Sequence, residues 1–140
     1  MERQHRLLER MATRGRRQQK QPLLWAVVDE ATLTNHTVGA AVMREQIDFL
    51  ISMAEHGQAS LQVLPVNKSA IAAAADSFST LRLGIQNLED VIYLEQLNSA
   101  LFLDDRRECD PYKQAWNRLT IAAEPPSETV KLLLRARDDL

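Results

Sequence analysis

Residues 23–28, LLWAVV, form an unbroken apolar run between Pro22 and the acidic pair Asp29 and Glu30. A run this short, continuous and rich in β-branched and aromatic side chains reads as a strand covered on both faces. Such a strand needs helices to cover it, and one follows after Asp29, Glu30 and a loop through Asn35, His36, Thr37 and Gly39. Met43, Ile47, Leu50, Ile51 and Ala54 fall on a single stripe at helical spacing, and Gly57 is placed to end that helix at its C′ position. Leu61, Val63 and Leu64 make a second short strand, stopped by Pro65. Two strands joined by a helical crossover are able to pair in parallel.

The pattern then changes. Residues 66–77 carry Ala70 and the run 72–75 with no amphipathic period, which predicts a loop or a loose helical turn. Residues 78–83 read as a strand with Leu81 and Leu83 on one face, 84–90 as a turn, and 91–95 and 100–103 as two further strands joined at 96–99. Connections this short favour antiparallel pairing. A helix opening at 104–108 carries Cys109, Tyr112, Ala115, Trp116 and Leu119 at three-to-four spacing, and Pro111 marks its first turn or a kink. Pro125 and Pro126 start a last helix in which Ser127, Val130, Leu133, Leu134 and Arg137 follow the period. The expected class is α+β: a small mixed or antiparallel sheet of about four to five strands packed with helices. Trp25, Tyr93, Tyr112 and Trp116 are assigned to its core.

Charge divides the chain at the same place as hydropathy. Residues 1–20 hold seven basic and two acidic side chains, a net +5, so the overall −2 leaves −7 on the remaining 120 residues. We therefore read 1–22 as a basic helical arm or linker, with Leu7, Leu8 and Met11 at helical spacing, and 23–140 as the domain proper. An acidic body is a poor partner for phosphates, which leaves direct nucleic-acid contact, if any, to the arm. No run approaches the ~18 apolar residues of a membrane span, and the basic N-terminus has no apolar signal region. A single cysteine, Cys109, suits a reducing compartment and predicts a cytoplasmic protein.

The residues that carry chemistry are sparse. Four glycines and no G-x-G-x-x-G or Walker pattern argue against a phosphate-cradling loop. His5, His36 and His56 lie in different elements, and Cys109 sits on an apolar stripe, so neither a zinc site nor a thiol nucleophile is expected. Asp29 and Glu30 at one strand end and Glu95 at another are the carboxylates able to do acid–base or cation chemistry. The bland alternative is that Asp29 or Glu30 caps the following turn and Glu95 faces solvent or an arginine.

Taken in order, several segments resemble one family. They are RQHRLLER at 3–10, LWAVVDEATL at 24–33, VGAAVMREQIDFLISMAE at 38–55, LQVLPV at 61–66, FSTLRL at 78–83, DVIYLE at 90–95 and AWNRLTIAAEPPSETVKLL at 115–133. The chain is similar to the C-terminal domain, DUF5753, of actinobacterial XRE-type helix-turn-helix regulators, also described as Scr1-type and antitoxin-like. The motif words fall on Glu30 and Leu33, on Gly39, Met43 and Gln46, on Leu64 and Pro65, and on Tyr93 and Glu95. The resemblance implies a non-enzymatic effector-sensing or protein-interaction domain with no cofactor and no metal. It also implies small DUF397-type proteins as partners. DNA would be reached only through a helix-turn-helix module absent from this chain. The family's glycine after VLP is replaced here by the alanine-rich run 70–75. Because half-sites on DNA mirror a protein two-fold, a homodimer is expected. The alternative function is a standalone antitoxin-like protein that binds a protein partner. Glu30, Gln46, Tyr93 and Glu95 are the candidates for a ligand- or partner-binding site.

Overall fold

A computed structural model describes residues 23–34, 36–83 and 89–140. The basic arm at 1–22 and most of the turn read at 84–90 lie outside the described residues. Among those described are five strands and five α-helices. In chain order they are β1 (Trp25–Asp29), α1 (Glu30–Leu33), α2 (Ala40–Glu55), β2 (Ser60–Leu64), α3 (Ser69–Ala73), β3 (Ser79–Leu81), β4 (Val91–Glu95), β5 (Ala100–Leu103), α4 (Arg106–Ala122) and α5 (Pro126–Asp138). The class is α+β, as expected.

β1 and β2 pair in parallel with Trp25 opposite Ser60 and Asp29 opposite Leu64. The crossover helix α2 buries Ile47 and Ile51 against Val63 and against Leu133 and Ala136 of α5, with Met43, Leu50 and Val28 around them. The stripe read from the sequence is thus the face that is buried. Gly57 ends the helix as expected: its φ of +63° is the left-handed C′ conformation that favours glycine. The N–H of Gln58 reaches the carbonyl of Met53 at 3.0 Å and that of Gly57 reaches Ala54 at 3.2 Å, which closes a Schellman motif.

The strands do not join into one sheet. β3, β4 and β5 form a separate antiparallel sheet in that order. At the outer edge of β2 no further strand is able to join. Its Val63 carbonyl accepts the N–H of Glu124 at 2.9 Å, and its Leu61 carbonyl accepts the hydroxyl of the buried Thr129 at 2.5 Å. The connection between α4 and α5 therefore occupies the place of a third strand. Helix α4 spans the two sheets. Leu119 and Ala123 pack with Val27, Leu64 and Phe78, while the Cys109 thiol lies against the carbonyls of Leu103 and Asp90 beside the second sheet.

Five expectations need correction. The segment read as a loop before α2 is partly helical: α1 follows β1 at once, and His36–Val38 form a 3-10 turn. β1 is not fully covered on both faces: its residues from Ala26 to Asp29 are half-buried and Trp25 is 52% exposed. Trp25 therefore meets Trp116 edge to face, 5.4 Å apart, outside the buried core. Pro111 lies in the second turn of α4, because Asp105 caps the helix by accepting the N–H of Arg107 at 2.8 Å. In α5 the buried positions are Thr129, Leu133 and Ala136, whereas Leu134 and Arg137 lie off that face, Arg137 paired with Asp48 at 2.8 Å. The third strand is shorter than read. Leu83 lies beyond it, exposed, and only Phe78 before it joins a core cluster.

Candidate functional site

The carboxyl ends of parallel strands are where α/β units gather binding groups, and Asp29 and Glu30 stand there. Both carboxylates are engaged by the protein itself. One Asp29 carboxylate oxygen accepts the N–H of Ala31 at 3.1 Å, capping α1, and also the hydroxyl of Ser69 at 2.6 Å. The Glu30 carboxylate accepts the N–H of Val66 at 2.9 Å. The two acids thus tether the segment that follows β2, joining the DE..L and VLP motif words in space. Asp29→Ala is expected to lower the unfolding free energy by about 1–2 kcal/mol, a lost cap and hydroxyl partner. Glu30→Ala should cost about 1 kcal/mol through Val66. Urea unfolding of each variant checks both values.

Beyond that end, Gln62 locks helix α4 onto the sheet. It is 5% exposed, set between the apolar Leu61 and Val63. Its amide oxygen accepts the indole N–H of Trp25 at 2.9 Å, and its amide nitrogen donates to the carbonyls of Thr120 at 3.2 Å and Glu124 at 3.1 Å. Only this orientation of the amide satisfies all three neighbours. Lys68 donates to the carbonyl of Ala122 at 2.8 Å. The carbonyls at the end of α4, which lack helical partners, are met by an amide and a cation. Sequence reading missed Gln62, Lys68 and Thr129. A polar residue flanked by Leu61, Val63 and Leu64 was the available signal for Gln62.

The second sheet presents a different surface. Residues opposite one another in antiparallel strands share a face. Tyr93 therefore shares a face with Ser79 and Phe102, Val91 with Leu81, and Glu95 with Ala100. Ile92 points the other way and is fully buried. The Tyr93 and Phe102 rings lie 5.0 Å apart, and Phe102 remains 61% exposed. Leu81 is also exposed and Glu95 stands at the rim. The sheet is braced beside β3 and β4 by Arg82, whose guanidinium grips the Asp90 carboxylate with two bonds of 3.0 and 2.9 Å. The same contact holds the Asp90 carboxyl below its ordinary range.

The four sequence candidates are dispersed. Glu30 begins α1, Gln46 is exposed on α2, and Tyr93 and Glu95 share the outer face of β4. No hydrogen bond or ion pair links any two of them. Among the described residues, no group of three or more His, Cys, Asp or Glu side chains is arranged to hold a metal ion.

Fold and site together define an α+β domain whose acidic strand end holds its own loops and whose second sheet turns an apolar face outward. The chain belongs to the family described as Domain of unknown function (DUF5753), whose family model matches residues 1–135. No curated protein and no solved structure matches it. No helix among the described residues is long and apolar enough to cross a membrane.

Proposed function

We propose that this chain is a non-enzymatic regulatory domain of a cytoplasmic transcriptional regulator. It would act as a homodimer through contact with a small protein partner, and reach DNA only through a separate helix-turn-helix module. The observation that carries this reading is the outer face of the second sheet. Leu81, Val91, Tyr93 and Phe102 form an apolar patch with Glu95 at its rim, the composition of a contact surface. The engagement of Asp29 and Glu30 by backbone and hydroxyl donors supports it, since those carboxylates were the strongest candidates for reaction chemistry. A buried free thiol at Cys109 fits a reducing cytoplasm. The XRE-type context and the DUF397-type partner come from the sequence resemblance.

The test is calorimetric titration of the 140-residue chain with a DUF397-type protein encoded beside its gene. Tyr93→Ala and Glu95→Lys are expected to weaken binding at least about tenfold, the loss of about 1.4 kcal/mol; the exposed Glu95→Lys should leave the melting temperature unchanged, and Tyr93→Ala should lower it only modestly while the chain stays folded. Glu30→Ala should do the reverse, lowering stability and sparing affinity. No binding by the unmodified chain, or binding indifferent to Tyr93 and Glu95, sinks the reading.

A further inference from the structure

The dimer named above has no interface assigned, and the open edges of the two sheets differ in what they offer one. The outer edge of β2 is filled by Glu124 and Thr129. β3 is three residues long and pairs with β4 through Ser79 to Leu81. β5 is different. It is an edge strand of four residues, ALFL, with no charge and no proline. Edge strands of natural proteins are ordinarily blunted by such residues, because their unpaired N–H and C=O groups recruit another strand.

The direction of those groups follows from the turn before the strand. The N–H of Gln96 donates to the carbonyl of Ser99 at 2.9 Å, which makes 96 and 99 a hydrogen-bonded pair. Antiparallel pairs alternate between bonded and non-bonded. With Glu95 opposite Ala100, Leu94 opposite Leu101 and Tyr93 opposite Phe102, the bonds to β4 are made at Leu101. Ala100 and Phe102 therefore turn their N–H and C=O away from β4, toward the open edge.

We infer that β5 pairs with β5 of a second copy of this chain, antiparallel, with Leu101 on the two-fold axis. This places Ala100 of each copy opposite Phe102 of the other, so the outward main-chain groups of both residues are satisfied mutually. The side chains agree with that register. The exposed Phe102 ring lies over a small Ala100, and Leu101, 46% exposed, meets its own copy. The main-chain ladder would accept any extended strand, but a second copy brings a side-chain set that fits this register on both halves at once, Phe102 against Ala100 twice and no charge on either strand. The two three-stranded sheets become one continuous sheet, and the Tyr93 and Glu95 faces of both copies point to the same side. This assignment rests on the dimer of the proposed function and adds its location.

Sedimentation equilibrium of the full chain tests it. A four-residue strand edge is a small contact, so loading spans about 1 to 200 μM. The unmodified chain is expected to dimerise within that range. Ala100→Pro removes an N–H that makes no bond within the copy, so it should abolish the dimer and leave the far-ultraviolet circular dichroism unchanged. L101K and L101E should each be monomeric, and an equal mixture should form a heterodimer, because Lys and Glu then face each other across the axis. A monomer at every concentration removes both the dimer and this interface. A dimer that survives Ala100→Pro keeps the homodimer and refutes β5 as its seat, moving the two-fold to another edge such as that of β1. Loss of the dimer in both charged variants without recovery in the mixture refutes the register centred on Leu101.

Discussion

Leu133→Ala is expected to lower the unfolding free energy by about 3–4 kcal/mol, within the range for truncating a fully buried leucine. Leu133 is 1% exposed and lies in the cluster that joins α5 to α2 and β2, with Ile47, Ile51 and Val63 around it. Truncation removes apolar contacts from three elements at once, and a cavity between two helices and a sheet closes poorly. Domains of this size are stable by only about 5–15 kcal/mol, so the loss is a large fraction of the total. Leu134→Ala is the control. That side chain is 36% exposed, and its removal should cost under about 1 kcal/mol. Urea unfolding followed by tryptophan fluorescence separates the two. Equal losses would mean that α5 presents a different face to the sheet.

The second large effect is expected at Gln62. Gln62→Leu keeps the volume and removes an acceptor from the Trp25 indole and a donor from the Thr120 and Glu124 carbonyls. Leaving buried partners unpaired costs about 1–3 kcal/mol each where water cannot reach them. The indole is partly exposed, so about 2–4 kcal/mol is expected in all. Gln62→Glu carries a further, pH-dependent signature. An ionised carboxylate among carbonyl oxygens has no proton to donate, so the fold favours its protonated form and raises its pKa above the unfolded value. Stability of that variant should then be greatest below the unfolded pKa and fall as pH rises through the folded one. A pH-independent loss would place the side chain in solvent.

These two residues divide what was legible from what was not. Leu133 lies on a stripe that periodicity exposes, although the stripe alone did not say whether Leu133 or Leu134 would be covered. Gln62 was passed over, because a polar residue in an apolar strand has meaning only once Trp25, Thr120 and Glu124 are known to surround it. The candidate site behaved alike. Asp29 and Glu30 stand out in the sequence as the carboxylates at a strand end, and a cap at Asp29 or Glu30 is one of the two roles that position allows. That Glu30 would take the N–H of Val66 required the end of β1 to lie beside the end of β2. Tyr93 and Glu95 were placed on one strand correctly, but their common face with Phe102 depends on the register of β5.

The two strands and the helix between them were decided by the amino-acid sequence, which left a parallel or a mixed pairing open; the parallel register is the structure's. A continuous apolar run, a stripe at helical period ended by Gly57, and a second apolar run before Pro65 admit few other arrangements, because each element's periodicity states which side chains must leave water. The division of five strands into two sheets was decided only in the tertiary structure. Periodicity reports the need for burial and is silent on who provides it. The outer edge of β2 went to the Glu124 N–H and the Thr129 hydroxyl, groups more than sixty residues away whose reach no local pattern encodes. With that edge filled, β3, β4 and β5 do not extend the first sheet there and pair with one another instead, which leaves an apolar outer face and a bare β5 edge.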